Sequence, residues 1–229
     1  KHLPYSVALP IAEAHNLHNK VLKQQINITE PLRKRLWQQI VREKIRQQVM
    51  TLVLVDKDSA RLRRLIKEVK TGDSGNCEAV AAQIYWKLLF GNQFRRDVDR
   101  EGVNSLLNYG YSIIRAMIAR SICSTGLHPT LGLFHRNQYN ALCLADDVME
   151  PFRPWVDWLV YKMAQENKTT INQYSKQLLL GLLSKEVVHE GRKMPLMIAT
   201  HYLMANLKSC YDKERKVLNY PQMENRIKK

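Results

Sequence analysis

The chain has 229 residues, 45% of them hydrophobic, so it can bury one sizeable core and does not belong to the disordered class. Lys and Arg number 36 against 21 Asp and Glu, a formal net charge of +15, which favours a polyanionic partner and nucleic acid before any other. The sequence lacks the motifs of P-loop, nucleophile-elbow, HExxH and dinucleotide-binding proteins.

The cysteines and the apolar runs indicate the compartment. No two cysteines form a C-x-x-C pair, which predicts free thiols in a reducing compartment and argues against a zinc knuckle. No charged-then-apolar leader is visible, and the longest apolar run, Leu178–Leu183, is far too short to span a bilayer. We therefore expect a cytoplasmic protein without a membrane segment.

The first segment, Lys1–Ile11, places two prolines around an alternating, β-prone stretch. Such a stretch is a poor start for a domain and is more typical of the end of a preceding β region. Helical patterns follow it. We therefore divide the chain into residues 1–11, the remnant of a trimmed N-terminal β-domain with its linker, and residues 12–229, an α-helical domain.

Two helices are predicted next. Over Glu13–Ile28 the apolar residues are spaced for one buried face, formed by Leu17, Val21, Leu22 and Ile26. Thr29 and Pro31 indicate the start of a long amphipathic helix that reaches about Thr51. Its polar face carries Arg33, Lys34, Arg35, Arg42, Lys44 and Arg46. For any single one of these charges solvation is the commoner role, but charges of one sign repel unless something neutralises them, so the cluster as a whole predicts phosphate contact.

A short basic helix and a longer apolar helix come after a turn. Ala60–Val69 predicts the first, with basic residues that are candidate DNA contacts: Arg61, Arg64 and Lys67. Asn76–Phe90 predicts the second, with Glu78 in its first turn. A carboxylate there usually complements the positive end of the helix, so on the residues alone a capping role is the commoner outcome.

A buried central helix is predicted over Val103–Ser124, because its apolar residues lie on more than one side. A polar loop, Gly91–Gly102, precedes it. Gly110 would allow a neighbouring helix to approach closely, and Asn104 and Asn108 would need hydrogen-bond partners if they face inward.

The stretch Gly126–Pro154 is the densest in chemically capable side chains. Pro129 and Gly132 force a defined loop. Leu133 and Phe134 are expected to anchor that loop in the core and so to hold His135 at a fixed position.

Several carboxylates follow the loop. A helix predicted from Asn140 would place them within about one turn of one another: Asp146, Asp147 and Glu150. Carboxylates on one face repel unless a cation lies between them, and either Arg153 or a metal ion meets that need. One imidazole with several carboxylates suits Mg²⁺ or Mn²⁺ better than zinc. On these residues alone, a structural histidine remains the commoner outcome.

The rest of the chain continues the helical pattern. Helices are predicted over Trp155–Glu166, Asn172–Leu183 and Pro195–Leu218, with Ser184–Lys193 as a polar turn. The fold class predicted for the chain is therefore mainly α, a helical domain that follows a short β-like entry.

Four motifs carry a family resemblance. They are L-W-Q-Q-I-V over Leu36–Val41, G-D-S-G-N-x-E over Gly72–Glu78, G-L-x-P-x-x-G-L-x-H over Gly126–His135, and N-x-x-x-L-A-D-D-x-x-E-P-x-R-P over Asn140–Pro154. Together they resemble the CRISPR-associated endonuclease, the integrase subunit of spacer acquisition. The E-P-x-R-P ending is similar to the form found in type II systems, which have a single large RNA-guided effector.

This resemblance implies a metal site and reverses the structural expectation for its histidine. The implied ligands and catalytic residues are Glu78, His135 and Glu150, with Mg²⁺ or Mn²⁺ as the cofactor. Supporting positions are Asp147, Asp146, Asn140 and Arg153. Arg136, next to the histidine, joins Arg61, Arg64 and Lys67 as a candidate DNA contact.

The resemblance also implies a reaction and partners. A 3′-hydroxyl of protospacer DNA would attack a phosphodiester of the CRISPR array, and attack by water would give endonuclease activity. The implied partners are double-stranded DNA (protospacer and repeat), a second copy of the full-length chain in a homodimer, and a small ferredoxin-like adaptation subunit. The implied location is the bacterial cytoplasm.

Two alternatives remain open from the sequence. One is a non-catalytic basic helical scaffold that binds DNA, favoured if the carboxylates near His135 have neutralising partners of their own. The other is a metal hydrolase of small phosphates, which would not need DNA.

Overall fold

The computed structural model describes residues 17–223, and the predicted β remnant over residues 1–11 lies outside them. The prediction of a mainly α fold is confirmed. The helices are α1 His18–Ile26, α2 Glu30–Leu54, α3 Ala60–Glu68, α4 Cys77–Phe90, α5 Val103–Ser124, α6 Cys143–Met149, α7 Arg153–Gln165, α8 Gln173–Leu180 and α9 Leu196–Tyr211.

Helices α2 and α5 organise the core. α2 packs against α3, α4 and α7, and α5 packs against α6, α7 and α9. The predicted stripe of α2 is confirmed at Leu36, Ile40, Ile45 and Val49, all of which are buried. The helix starts after Thr29, as predicted, and carries Pro31 in its first turn. Because α2 and α7 each contribute polar residues to one cleft, their packing positions the candidate site.

Helix α5 has the bounds predicted for it and is buried on several sides. A Cβ on Gly110 would lie 2.3 Å from a methyl carbon of Val156, so this glycine permits the close approach of α7. Asn104 donates to the carbonyl of Arg95 at 3.0 Å, and Asn108 donates to the carbonyl of Val98 at 2.7 Å. The two asparagines therefore fix the polar loop that precedes α5.

A small sheet was missed by the sequence reading. The stretch predicted as a polar turn forms an antiparallel hairpin of β1 Glu186–His189 and β2 Arg192–Pro195, and β3 Gln222–Met223 pairs with the other edge of β1. Glu190 and Gly191 both have positive φ, which matches the twist of a two-residue hairpin turn. The predicted last helix is accordingly shorter and ends at Tyr211.

The first helix also differs from its prediction. Val21 is buried, but Leu17 and Ile26 are 57% and 60% exposed, and Leu22 is exposed too. α1 contacts the body of the molecule mainly at α9, along a narrow strip. In the second turn of α1 the buried position is taken by Gln25 instead of an apolar residue. Its side chain hydrogen-bonds the backbone of His128.

The four cysteines Cys77, Cys123, Cys143 and Cys210 are free thiols, as predicted. Across residues 17–223, no helix combines the length and the apolar character needed to cross a membrane.

Candidate functional site

The three predicted ligands line one cleft of about 200 Å³. Glu78 comes from the start of α4, His135 from the loop before α6, and Glu150 from the turn between α6 and α7. Lys44 of α2 and Asp157 of α7 also line it. The fold therefore collects these groups from several separate segments of the chain.

Glu78 does not cap its own helix. Asp73 accepts hydrogen bonds from the backbone N–H groups of Cys77 and Glu78, each at 2.9 Å, and so satisfies the start of α4. The Glu78 carboxylate is left to accept a hydrogen bond from Lys44 Nζ at 2.6 Å. The capping role expected from position alone is thus taken by Asp73, and Glu78 faces the cleft.

Asp147 holds the histidine in place. This fully buried carboxylate accepts the backbone N–H groups of Leu133, Phe134 and His135 at 2.6, 3.0 and 3.1 Å. It also bonds Nδ1 of His135 at 2.6 Å, which leaves Nε2 for the cleft that the ring lines. The hydrogen bond that Asp147 accepts from the ring outweighs burial and raises the pKa of His135 above its ordinary value.

Two further contacts shape the loop that carries His135. A Cβ on Gly132 would lie 2.3 Å from the carbonyl oxygen of His135, so only glycine fits there. Leu133 is buried as predicted, but Phe134 is 52% exposed and stacks on Trp37 of α2, with ring centroids 4.3 Å apart. Phe134 therefore ties the loop to α2 from the surface and does not enter the core.

Glu150 is buried between two cations. Lys44 Nζ lies 2.5 Å from its Oε2, and Arg153 Nε donates to its Oε1 at 2.7 Å. Burial opposes ionisation of this carboxyl, yet Lys44 and Arg153 hold its pKa below the ordinary value. Burial likewise opposes the charge on Lys44, but Glu150 and Glu78 keep the pKa of its ammonium raised. Glu150 and Lys44 are therefore both ionised at neutral pH.

The basic face of α2 is not a uniform phosphate surface. Lys44 is only 12% exposed and bridges Glu78 and Glu150 inside the cleft. Arg42 donates to the backbone carbonyl of Val69 at 2.9 Å. The expectation of phosphate contact is therefore wrong for Lys44, whose charge is neutralised inside the cleft. For Arg42, which donates to a neutral carbonyl, it stays a prediction.

Asp146 and Asn140 lie outside the cleft. Arg115 of α5 donates to Asp146 at 2.5 and 2.9 Å, and Asn140 donates to it at 2.7 Å. Asn140 does not start a helix, since α6 begins only at Cys143; its side chain instead bonds the backbone N–H of Leu142. Both residues brace the segment between the histidine loop and α6.

Asp157 is a buried acid that the sequence reading missed. It accepts hydrogen bonds from the hydroxyls of Tyr85 and Tyr111, the first at 3.0 Å. Burial raises the pKa of Asp157 to about 7, against the lowering effect of the tyrosines and of Arg153. Arg153 also lies over the Tyr111 ring at 4.7 Å, so this polar cluster supports the floor of the cleft beside Glu150.

The candidate DNA contacts occupy two surfaces. Arg61, Arg64 and Lys67 are exposed on α3, whose Leu62 and Leu65 are buried beneath them. Arg136 is exposed immediately after His135, in a shallow depression that it shares with Arg33, Lys34 and Phe134.

The donor set fits a hard divalent cation, although the described side chains do not surround a ready site. Among residues 17–223, no three His, Cys, Asp or Glu side chains are arranged to hold a metal ion as they stand. The reason is visible in the cleft, where the ammonium of Lys44 already lies between Glu78 and Glu150. A position that attracts one cation between two carboxylates, beside an imidazole nitrogen, has the chemistry that Mg²⁺ or Mn²⁺ requires.

The fold of this chain is similar to the folds of known solved structures. A casposase bound to integration product covers 99% of this chain and 77% of its own, with a TM-score of 0.79 at 19% identity. A Cas6-RT-Cas1–Cas2 complex covers 95% of this chain and 28% of its own, with a TM-score of 0.74 at 18% identity. At these identities the likeness extends to the fold alone.

Comparison by sequence gives the family. The family model described as CRISPR associated protein Cas1 matches residues 5–193. The CRISPR-associated endonuclease Cas1 of Neisseria meningitidis serogroup C (strain 8013) is 39% identical over 226 residues, which is 96% of this chain and 74% of that protein. The chain therefore belongs to the CRISPR-associated protein Cas1 family.

Proposed function

We propose that the protein is a metal-dependent DNA endonuclease and integrase that inserts protospacer DNA into a CRISPR array by 3′-hydroxyl strand transfer. The observation that carries this proposal is the convergence of Glu78, His135 and Glu150 on one cleft. Glu78 lies more than fifty residues before His135 and Glu150 in the sequence, in a chain of the Cas1 family. The similar Neisseria protein is named an endonuclease, and one structure of similar fold is a casposase bound to integration product.

The proposed ligands are the carboxylates of Glu78 and Glu150 and Nε2 of His135. Mg²⁺ or Mn²⁺ held there would supply a Lewis acid at the phosphoryl oxygen and would make a hydroxyl group more acidic. Two carboxylates and one imidazole are a sufficient protein contribution for a cation that keeps part of its water shell.

The other residues of the cleft orient these ligands. Asp147 fixes both the ring position and the tautomer of His135 through its bond to Nδ1. Arg153 fixes Glu150, and the Tyr85–Asp157–Tyr111 cluster packs behind it. A phosphodiester would therefore meet groups that are already held in place, which lowers the cost of reaching the transition state.

We propose that the excess positive charge binds the DNA backbone. Arg61, Arg64 and Lys67 on α3, together with Arg136 beside the site, would contact phosphates without reading base sequence. The proposed substrates are double-stranded protospacer DNA and the CRISPR repeat, in the bacterial cytoplasm.

The proposed partners follow from the family. We propose that the full-length chain forms a homodimer and works with a small ferredoxin-like subunit of the Cas2 type. Support for the second partner comes from the structure of similar fold that is a Cas6-RT-Cas1–Cas2 complex.

The test is integration of a short duplex into a supercoiled plasmid that carries the array, with the full-length protein, its partner subunit and Mn²⁺. We expect integration by the wild type, and none with His135→Ala or with excess chelator. Glu166→Gln is the matched control, because Glu166 is an exposed carboxylate bonded to Lys168 at 2.7 Å. Unchanged activity in excess chelator would refute the metal requirement.

A second candidate has one observation in its favour. The carboxylates near His135 do have neutralising partners: Asp146 pairs with Arg115, and Glu150 pairs with Lys44 and Arg153. A basic helical scaffold that binds DNA without cutting it would show this charge balance. It would bind DNA in a salt-dependent manner and give no strand transfer with any divalent metal, so the plasmid assay separates the two functions.

A further inference from the structure

Lys44 occupies an unusual place for a basic residue in a DNA-binding protein. Its ammonium lies 2.6 Å from Glu78 Oε1 and 2.5 Å from Glu150 Oε2, and its side chain is only 12% exposed. It is the group that joins the start of α4 to the turn before α7. Without a cation at this point, the two carboxylates would repel each other across the cleft.

Gln48 provides a second hydrogen-bond acceptor for the ammonium of Lys44. It lies one turn further along α2, lines the same cleft, and is 3% exposed. Its Oε1 is buried and has no hydrogen-bond partner among residues 17–223. A buried acceptor without a donor is destabilising, so an unpaired acceptor in the cleft that also holds the Lys44 ammonium is informative.

We propose that Lys44 is the internal cation of the metal-free site, and that its ammonium moves from Glu78 and Glu150 to Gln48 Oε1 when a divalent ion binds. This inference rests on the proposed metal site. An ion about 2.1 Å from the same carboxylate oxygen would lie less than about 5 Å from Nζ in its present position. Two cations that close repel strongly in a cleft with little water, so one of them must leave.

The exchange has a measurable consequence for affinity. In the metal-free protein Lys44 keeps the two ligands together, so the site is assembled before the metal arrives. Binding must then include the work of displacing the ammonium, and the metal binds more weakly than the carboxylates alone would allow. Removing the charge of Lys44 should therefore tighten metal binding while it weakens the metal-free fold.

The experiment measures Mn²⁺ affinity by titration calorimetry, and the melting temperature with and without Mn²⁺, on the full chain. For Lys44→Met we expect a Kd for Mn²⁺ at least tenfold lower than that of the wild type, a lower metal-free melting temperature and a larger rise on adding Mn²⁺. Lys168→Met, which removes a lysine from the exposed pair with Glu166, should leave the Kd unchanged. A Kd for Lys44→Met that is unchanged or higher overturns the proposal.

Two more variants keep the test decisive. Lys44→Gln retains a hydrogen-bond donor between the carboxylates without the charge, so it replaces Lys44→Met if that variant does not fold; the same tenfold change is expected. Gln48→Leu removes the second place for the ammonium and should raise the Kd for Mn²⁺ about fivefold. An unchanged Kd for Gln48→Leu would overturn the part of the proposal that concerns Gln48.

Failure of the metal site and failure of the Lys44 inference give different results. If the wild type does not bind Mn²⁺, or if Glu78→Gln and His135→Ala leave the Kd unchanged, the proposed metal site is wrong and the inference falls with it. If wild-type binding depends on Glu78 and His135 but Lys44→Met binds no tighter, only the inference about Lys44 is overturned.

Discussion

The molecule contains two differently stabilised carboxylate regions. In the acid pair, Glu78 and Glu150, the negative charge is balanced by the side-chain cations Lys44 and Arg153. In the histidine loop, residues 132–135, the charge of Asp147 is balanced by three backbone N–H groups and one imidazole nitrogen. Side-chain cations can move away, whereas the backbone groups cannot leave without unfolding the loop.

This difference distinguishes the acid pair, which has the proposed functional role, from Asp147, which supports the structure. Under the proposed function the acid pair exchanges one cation for another, as a metal site must. Asp147 cannot do so, since all its hydrogen-bonding capacity is used to position His135. The contrast predicts that substitutions in the acid pair mainly change activity, and that substitution of Asp147 mainly changes stability.

The largest effect is expected at Glu78. Glu78→Gln keeps the shape of the side chain but removes one negative charge from the acid pair, so integration should fall about 1,000-fold or more. The free energy of unfolding should change by less than about 1 kcal/mol, because Glu78 is partly exposed and Lys44 keeps Glu150 as a partner. The plasmid assay and urea denaturation measure the two quantities, and a loss of stability as large as the loss of activity would contradict the separation.

Asp147→Ala should give the largest loss of stability. It leaves three N–H groups of the histidine loop without an acceptor, at a cost of about 3 kcal/mol or more in the free energy of unfolding. The neighbouring Asp146→Ala is the control, with an expected cost of about 1 kcal/mol, because Asp146 and Arg115 are both partly exposed and can rebind water. Equal costs for the two variants would show that the loop does not depend on Asp147.

Asp157 should give the protein a dependence on pH. Burial raises its pKa to about 7 in the folded state, while an unfolded aspartate titrates near 4. Between these values the folded state binds the proton that the unfolded state has released, so the free energy of unfolding falls as the pH rises. From pH 5 to pH 7, the wild type should lose about 1 to 3 kcal/mol more than Asp157→Asn, measured by urea denaturation at each pH. If the stabilities of the wild type and of Asp157→Asn change with pH in parallel, Asp157 is not the group that binds the proton.

Part of this arrangement could be predicted from the sequence. The bounds of α5 follow from apolar residues on several sides and from Gly126 after its end. His135 and Glu150 line one cleft, as the family resemblance of the Gly126–Pro154 stretch implies, and their role as ligands stays a prediction. The hairpin was missed because its strands have four residues each and β2 is polar, although Glu190-Gly191 is a recognisable two-residue turn.

The role of Lys44 could not be read from charge. It is one of six basic residues on α2, and in the sequence they look alike. Its position was nevertheless informative, since it lies four residues after buried Ile40 and four before buried Gln48, on the inner stripe of the helix. The position of Lys44 on this stripe does not identify its partners, because Glu78 and Glu150 lie 34 and more than 100 residues away in the sequence.

The smallest effect is expected away from the cleft, on α3. Replacing Arg61, Arg64 and Lys67 with Ala removes three exposed charges while the buried Leu62 and Leu65 stay, so the fold should be unaffected. If these residues bind phosphates, affinity for duplex DNA should fall about tenfold near 0.15 M salt, and the slope of log K against log salt should decrease in magnitude by up to about 3. Fluorescence anisotropy at four salt concentrations measures both. Integration at saturating DNA should remain, because the cleft is intact. A variant with unchanged slope would assign DNA binding to other basic residues, with Arg136 beside the histidine loop as the next to test.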